Sequence, residues 1–325
     1  MIENIKAIGK FLDQPILISK LNKAVPLFLL TGGSIFMAND AMDEFKKNPD
    51  KNDAKKKVIE HGFVLLSAIA SALLAPKIAG KITNHSPLPS IQKAQENAKN
   101  IVDNFLKKNN PKNDTLEILN KAKNKVLSLS EVKNLYKNCE DKEFLKKLIP
   151  DPDNIKAKDI FSEIGYLSIY GAVPVVGGVM GGIAADSLIK EDVKKKVPDK
   201  IKEGLYQYLA NIFMCNIGAG VALSILEKLK ITSKSARALA MGAGIAAFGI
   251  IGGSKIANFL SKKLLNPVLN IKNEEKERKP ELLDIGLHTD DIATVSLLSG
   301  LKWIEPMLPT LYSVSGYRAG IGYRN

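Results

Sequence analysis

Residues Ile164–Ala185 read IGYLSIYGAVPVVGGVMGGIAA, 22 consecutive positions without Asp, Glu, Lys or Arg. A helix needs about 20 apolar residues to cross the hydrocarbon core of a bilayer, whereas a run of about 10–14 is usually a buried core helix. This stretch has the length of the first kind, and its glycines point the same way. Gly177 and Gly181 form one pair at four-residue spacing, Gly178 and Gly182 a second, and Gly171 lies upstream. Residues four apart share a helix face. Small residues there let two backbones approach closely, which holds helices together where the surrounding lipid is as apolar as Leu. In a water-exposed helix each glycine would cost about 1 kcal/mol relative to Ala.

Four more uncharged runs accompany it: Ala24–Ala38 (15 residues), His61–Pro76 (16), Gly204–Leu226 (23) and Ala238–Ser254 (17). The 23-residue run is a second clear span and the 17-residue run is marginal. The two short ones cross only if flanking lysines reach outward to the interface. Small residues recur at helical spacing here too: Ser67, Ser71 and Ala75 in the second run, and Ala238, Gly242 and Ala246 with Gly249, Gly253 and Ala257 around the fifth. Asn211 and Asn216 are the amides of the 23-residue run, and bonding between helices is expected of them. No charged residue lies within any run, so the usual mark of an ion-coupled transporter is missing. Asp186 and Asn39-Asp40 read as boundary residues, and Cys215 as a small buried hydrophobe. Met1–Phe11 lacks the apolar core and cleavage site of a signal peptide, so insertion falls to the internal segments.

The run Ile164–Ala185 also belongs to a repeat. Ala172-Val173-Pro174, Gly181-Gly182 and Lys195-Lys196-Val197-Pro198-Asp199-Lys200 echo Ala24-Val25-Pro26, Gly32-Gly33 and Lys46-Lys47-Asn48-Pro49-Asp50-Lys51. In each copy a Lys/Pro/Asp loop is expected to join two apolar helices. Two runs per copy place the copies the same way up, as a parallel repeat. The sequence thus predicts an all-α, membrane-embedded helical bundle with two similar hairpins, a fifth Gly-rich helix and a small helical insert.

The chain divides accordingly into an N-terminal amphipathic segment (1–14), a first hairpin unit (15–82), a soluble helical insert (83–159), a second hairpin unit (160–230), the fifth apolar helix (231–265) and a C-terminal part (266–325). In the insert, Ser86-Pro87-Leu88-Pro89-Ser90 signals a helix start. Ile91, Ala94, Ala98, Ile101, Val102 and Phe105 then recur at helical spacing. Asn113-Asp114 and Ser130-Glu131 open two more helices, and Phe144, Leu145, Leu148 and Ile149 form a fourth, stopped by Pro150-Asp151-Pro152. The C-terminal part comprises a charged linker, Lys272–Lys279, then an interfacial or re-entrant helix over Asp291–Tyr312 with Trp303, Tyr312, Tyr317 and Tyr323 at headgroup depth. Gly316-Tyr317-Arg318 and Gly322-Tyr323-Arg324 read as Tyr/Arg anchors.

Charge and motifs bound the function. The net charge of +13 over 325 residues fits a bilayer partner with anionic headgroups. Without aromatic interleaving or a known module, nucleic acid is not expected. Two cysteines, Cys139 and Cys215, make no disulfide framework. There is no phosphate loop, dinucleotide fingerprint, nucleophile elbow or zinc spacing, so no enzyme, cofactor or catalytic residue is assigned. Glu281, Asp284, His288, Asp290 and Asp291 form the densest polar cluster; on a helix Asp284 and His288, four apart, would share a face and could share a metal ion. Gly286 interrupts that pattern and Thr289-Asp290 reads as a helix cap, so no metal site is assigned. His61 and His85 stand alone near run boundaries. The reading is a structural or scaffold bundle packed through Gly faces, a possible homo-oligomer. The alternatives are a transporter or pore with its path between the hairpins, and a soluble helical protein with buried apolar helices.

Overall fold

The computed structural model describes residues 2–150, 156–269, 271, 277–281, 302–303 and 305–322. Among them every regular element is helical. A short α1 (Ile2–Leu12) leads into α2 (Pro15–Lys47), which opens on Pro15, where a missing N–H leaves no bond unmade. The next helix, α3 (Lys51–Thr83), is N-capped by Asp50, whose carboxylate accepts the Asn52 N–H at 2.7 Å.

Then come the short helices α4 (Ile91–Leu106), α5 (Asn113–Ala122), α6 (Leu129–Asn138) and α7 (Lys142–Leu148). The second hairpin is α8 (Ala157–Leu188) and α9 (Val193–Tyr208), which continues through a π-helical turn, Leu209–Phe213, into α10 (Met214–Lys228). A further rod comprises α11 (Lys234–Gly244), π-helical Ile245–Gly253, α12 (Ser254–Leu260), π-helical Ser261–Leu265 and α13 (Asn266–Val268). A 3-10 turn, Glu305–Met307, precedes α14 (Leu308–Ile321).

Five rods, Pro15–Lys47, Lys51–Thr83, Ala157–Leu188, Val193–Lys228 and Ala236–Val268, are long and apolar enough to cross a membrane, which is compatible with a membrane location. The two runs that look short in sequence lie in helices of 33 residues each, because the helices continue past their apolar centres into Lys- and Asp-bearing turns. The third shared landmark, the Lys/Pro/Asp block, departs from expectation. Asn48-Pro49-Asp50 is a loop ending in a cap, but Lys195–Lys200 lies inside α9, whose N-terminus falls earlier, after Asp192. Pro198 lies inside that helix, past its first turn, and so leaves the Lys194 carbonyl without its helical donor.

The insert helices enclose a core of Val102, Leu119, Val132, Leu135, Leu145 and Leu148, joined by Ile16 from α2. Ser90 caps α4, and Ser128 with Glu131 forms a reciprocal capping box on α6. The Gln14 amide ties this unit to the start of α2, donating to the Leu127 carbonyl at 2.9 Å and accepting the Leu127 N–H at 2.7 Å.

Within the bundle α8 packs antiparallel to α3 and parallel to α14, and its two glycine stripes explain why. Methyl groups on Gly177 and Gly181 would collide with Ser71 and Ser67 of α3; methyls on Gly178 and Gly182 would collide with the carbonyls of Gly316 and Gly320 on α14. The fit is reciprocal, since Gly316 and Gly320 press on the carbonyls of Pro174 and Gly178. Gly218 and Gly244 meet in the same way between α10 and α11, and a methyl on Gly253 would lie 2.7 Å from the Ala210 Cα.

The helix α14 is therefore interior, not interfacial. Tyr312 is buried against Tyr170, and Tyr317 packs edge-on to Phe36 and His61. Its Gly-x-x-x-Gly face fills a groove in α8, which draws it inward. The expected segment Asp291–Tyr312 otherwise lies mostly outside the described residues.

Candidate functional site

Two ends of the bundle carry buried polar clusters. The turn end holds the α2–α3 and α8–α9 connections, and α14 finishes there. Glu60 of α3, Asp186 of α8, and Lys196 and Lys200 of α9 meet at this end. Lys200 Nζ lies 2.8 Å from Glu60 Oε1 and 3.2 Å from Asp186 Oδ2, and donates to the Gly320 carbonyl at 2.7 Å. Lys196 Nζ lies 3.4 Å from both Glu60 Oε2 and Asp186 Oδ1. The side chains of Lys200 and Asp186 are almost wholly buried. Two cations and two anions balance, and Lys200 also meets the negative end of the α14 dipole. Gly322, at φ 67°, ends α14 beside Lys200 in the left-handed conformation that glycine supplies without strain.

One turn further along α9 a second network begins. Glu203, Gln207 and Asn211 follow at four-residue spacing, and all three are fully buried. Gln207 Nε2 donates to Glu203 Oε1 at 2.7 Å, and Asn211 Nδ2 donates to Gln207 Oε1 at 2.8 Å. This ladder starts near the turn end and reaches the middle of the rod Val193–Lys228, where the π-helical turn Leu209–Phe213 begins. π-Turns inside α-helices frequently mark functional sites. Facing Glu203 is Arg278, from the non-helical segment 277–281, with Nε 3.4 Å from Glu203 Oε2 and Nη1 3.5 Å from Glu281 Oε1. Glu281 also accepts from Arg318 of α14 at 2.7 Å.

The insert end is smaller. His85 stacks on Tyr166 with ring centroids 4.0 Å apart, and its nitrogens lie 3.7 Å from Glu163 and 4.0 Å from Glu305. The Tyr166 hydroxyl donates to Glu305 Oε1 at 3.3 Å. Burial pushes the Glu305 carboxyl above its ordinary range, only partly offset by His85 and the Tyr166 hydroxyl.

Several sequence readings change. Asp186 is a buried member of an ion cluster, not a bare boundary residue. Asp40 holds His61 Nδ1 at 2.5 Å, so His61 is not alone; nor is His85. Asn211 Nδ2 donates to Gln207 of its own rod, and Asn216 Nδ2 donates to the Ile212 carbonyl at 2.8 Å, also within that rod. Cys215 is buried as expected. The runs themselves are uncharged, yet Glu60, Asp186 and Glu203 stand immediately beside them and are drawn into the interior, because α14 and residues 277–281 cover them. Of the Glu281, Asp284, His288, Asp290 and Asp291 cluster, only Glu281 is described; it serves two arginines. Among the described residues no group of three His, Cys, Asp or Glu is placed to hold a metal ion.

No protein-family model, no curated protein and no solved structure matches this chain. The chemistry open to the site is therefore read from its own residues: ion pairing, hydrogen bonding and recognition of a cation by buried carboxylates.

Proposed function

We propose that this chain is an integral membrane protein, a helical bundle with a structural or scaffold role that packs through its Gly-rich faces and closes on itself. The two hairpins, α2–α3 and α8–α9/α10, are two copies of one unit inserted the same way up, with the Gly-rich fifth rod beside the second. The Lys-rich insert faces anionic headgroups. The observation that carries this reading is the glycine geometry. The stripes Gly177/Gly181, Gly178/Gly182 and Gly249/Gly253 are each filled by other helices of the same chain, while Leu27, Phe28, Leu30, Ile35 and Phe36 of α2 stay exposed, as lipid-facing side chains do. Alkaline carbonate washing of native membranes tests it. The protein should remain in the pellet; release into the supernatant would favour the soluble bundle and remove the membrane reading.

A second reading, a transporter, has one observation in its favour. The Glu203–Gln207–Asn211 ladder leads from a buried carboxylate near the turn end to an amide at the middle of a candidate span, and buried polar groups of that kind usually serve a substrate or ion path. Flux through purified protein in liposomes tests this reading, and silence across a broad panel of ions and cationic solutes would end it.

A further inference from the structure

Residues 277–281 form no helix, yet Arg278 is the largest fully buried side chain among the described residues. Its guanidinium has a cage. Glu203 pairs with Nε at 3.4 Å, Glu281 lies 3.5 Å from Nη1, the Lys279 carbonyl accepts from Nη1, and the Tyr206 ring lies beneath, 4.5 Å from Cζ to centroid. The Arg278 backbone is anchored separately. The Asn258 side chain accepts the Arg278 N–H at 3.2 Å and donates to its carbonyl at 2.9 Å. Anchor and cage are thus distinct, and the cage walls, Glu203 and Tyr206, stand on the continuous helix α9. Glu203 is further oriented by Gln207, while Glu281 has its own partner in Arg318. A tie between a loop and a bundle needs only one ion pair. A carboxylate, an aromatic face and a polar ladder leading inward together make a recognition site for a planar cation.

We propose that the Glu203–Tyr206 pocket binds a guanidinium-bearing cation, and that Arg278 is an internal occupant which such a ligand displaces. The binding site rests on this geometry alone, and transport of its ligand rests on the transporter reading above. The chemistry selects among cations. N–H donors from Gln207 and Arg278 approach the Glu203 carboxylate, which does not supply the ring of oxygens that a metal ion needs. The flat Tyr206 face and the carboxylate suit the guanidinium fork better than a compact ammonium. The surrounding charges are Lys200 and Lys202 on the same helix, Glu281 and Arg318 beyond Arg278, and the exposed Lys262–Glu277 pair (2.8 Å) beside the segment.

The test uses the full chain in lipid nanodiscs with methylguanidinium as probe, against methylammonium and sodium at equal ionic strength. Arg278→Ala should bind methylguanidinium saturably, at least about tenfold tighter than methylammonium. The wild type should bind it at least about tenfold more weakly than Arg278→Ala, because the tethered side chain competes. Arg278→Ala combined with Glu203→Gln should lose the binding. If Arg278→Ala does not fold, Arg278→Lys replaces it and should still bind the probe more tightly than wild type. Three results would overturn the proposal: no saturable binding to the wild type, equal affinity for methylammonium, or binding that survives loss of the Glu203 charge. Flux in liposomes is measured separately. Binding without flux keeps the site and removes transport; flux without binding does the reverse.

Discussion

Helices α2 and α8 both carry Ala-Val-Pro followed by Gly-Gly, and they occupy opposite environments. A methyl on Gly32 of α2 would meet nothing within 4 Å and one on Gly33 only side-chain ends of α3, Ile69 Cδ1 at 2.9 Å and Leu65 Cδ2 at 3.5 Å, whereas one on Gly181 would run into Ser67 Cβ and one on Gly182 into the Gly320 backbone carbonyl. Only 11% of the apolar window of α2 is buried, against 44% for α8. The difference lies between the shared landmarks. There α8 has Gly177-Gly178, while α2 has Leu27-Phe28-Leu29-Leu30. The extra pair gives α8 two small-residue faces, one for α3 and one for α14. Large side chains hold α2 at the rim, where Leu27 and Phe28 face outward. Shared wording in a sequence therefore does not imply shared packing; the number of small faces decides which helix becomes central.

Four substitutions sharpen or break that comparison. Gly178→Leu should have the largest effect, because the side chain would occupy the space of the Gly316 backbone and α14 could not dock. Loss of the folded species in detergent size-exclusion chromatography is the expected result. Lys200→Met comes next. It leaves Glu60 and Asp186 buried with only Lys196 to answer them, and breaking a buried pair costs roughly 3–5 kcal/mol. The lower end is expected here, read as a reduced Tm, since Lys196 stays within reach.

The insert end should respond more weakly, through pH. Glu305 is raised in the folded protein by burial, so its protonated form is the one that folding favours. Its contribution is complete below the unfolded pKa and is lost as pH rises through the folded one. Wild type should therefore lose more thermal stability than Glu305→Gln between pH 5 and pH 8; parallel profiles would remove Glu305 as the cause. Gly32→Leu should change least, within about 0.5 kcal/mol, because its surroundings are open. A large loss there would mean that α2 is packed against something outside this chain.

The helical class of the fold was legible because long uncharged runs have few other solutions. Helix starts at Ser90 and near Asn113 were legible from capping chemistry, although the third insert helix begins on Ser128 rather than on Ser130. The charge networks were not legible. Glu203 and Arg278 are 75 positions apart; the first looks like an ordinary residue at the edge of an apolar run, the second like one more charge of a polar linker. Position along the chain does not reveal which edge another segment will cover. The interior place of α14 did leave a signal. Gly316 and Gly320 repeat the four-residue spacing of Gly178 and Gly182. Tyr317 and Arg318 between them favoured an anchor, although Arg318 is in fact buried against Glu281.

The account turns on small-residue faces being satisfied within one chain. The most direct measurement is the mass of the intact protein released from detergent or nanodiscs by native mass spectrometry, with and without Gly178→Leu. The account predicts a single chain for the wild type, and unfolding rather than a change of stoichiometry in the variant. A wild-type dimer that becomes a well-folded monomer on Gly178→Leu would contradict it.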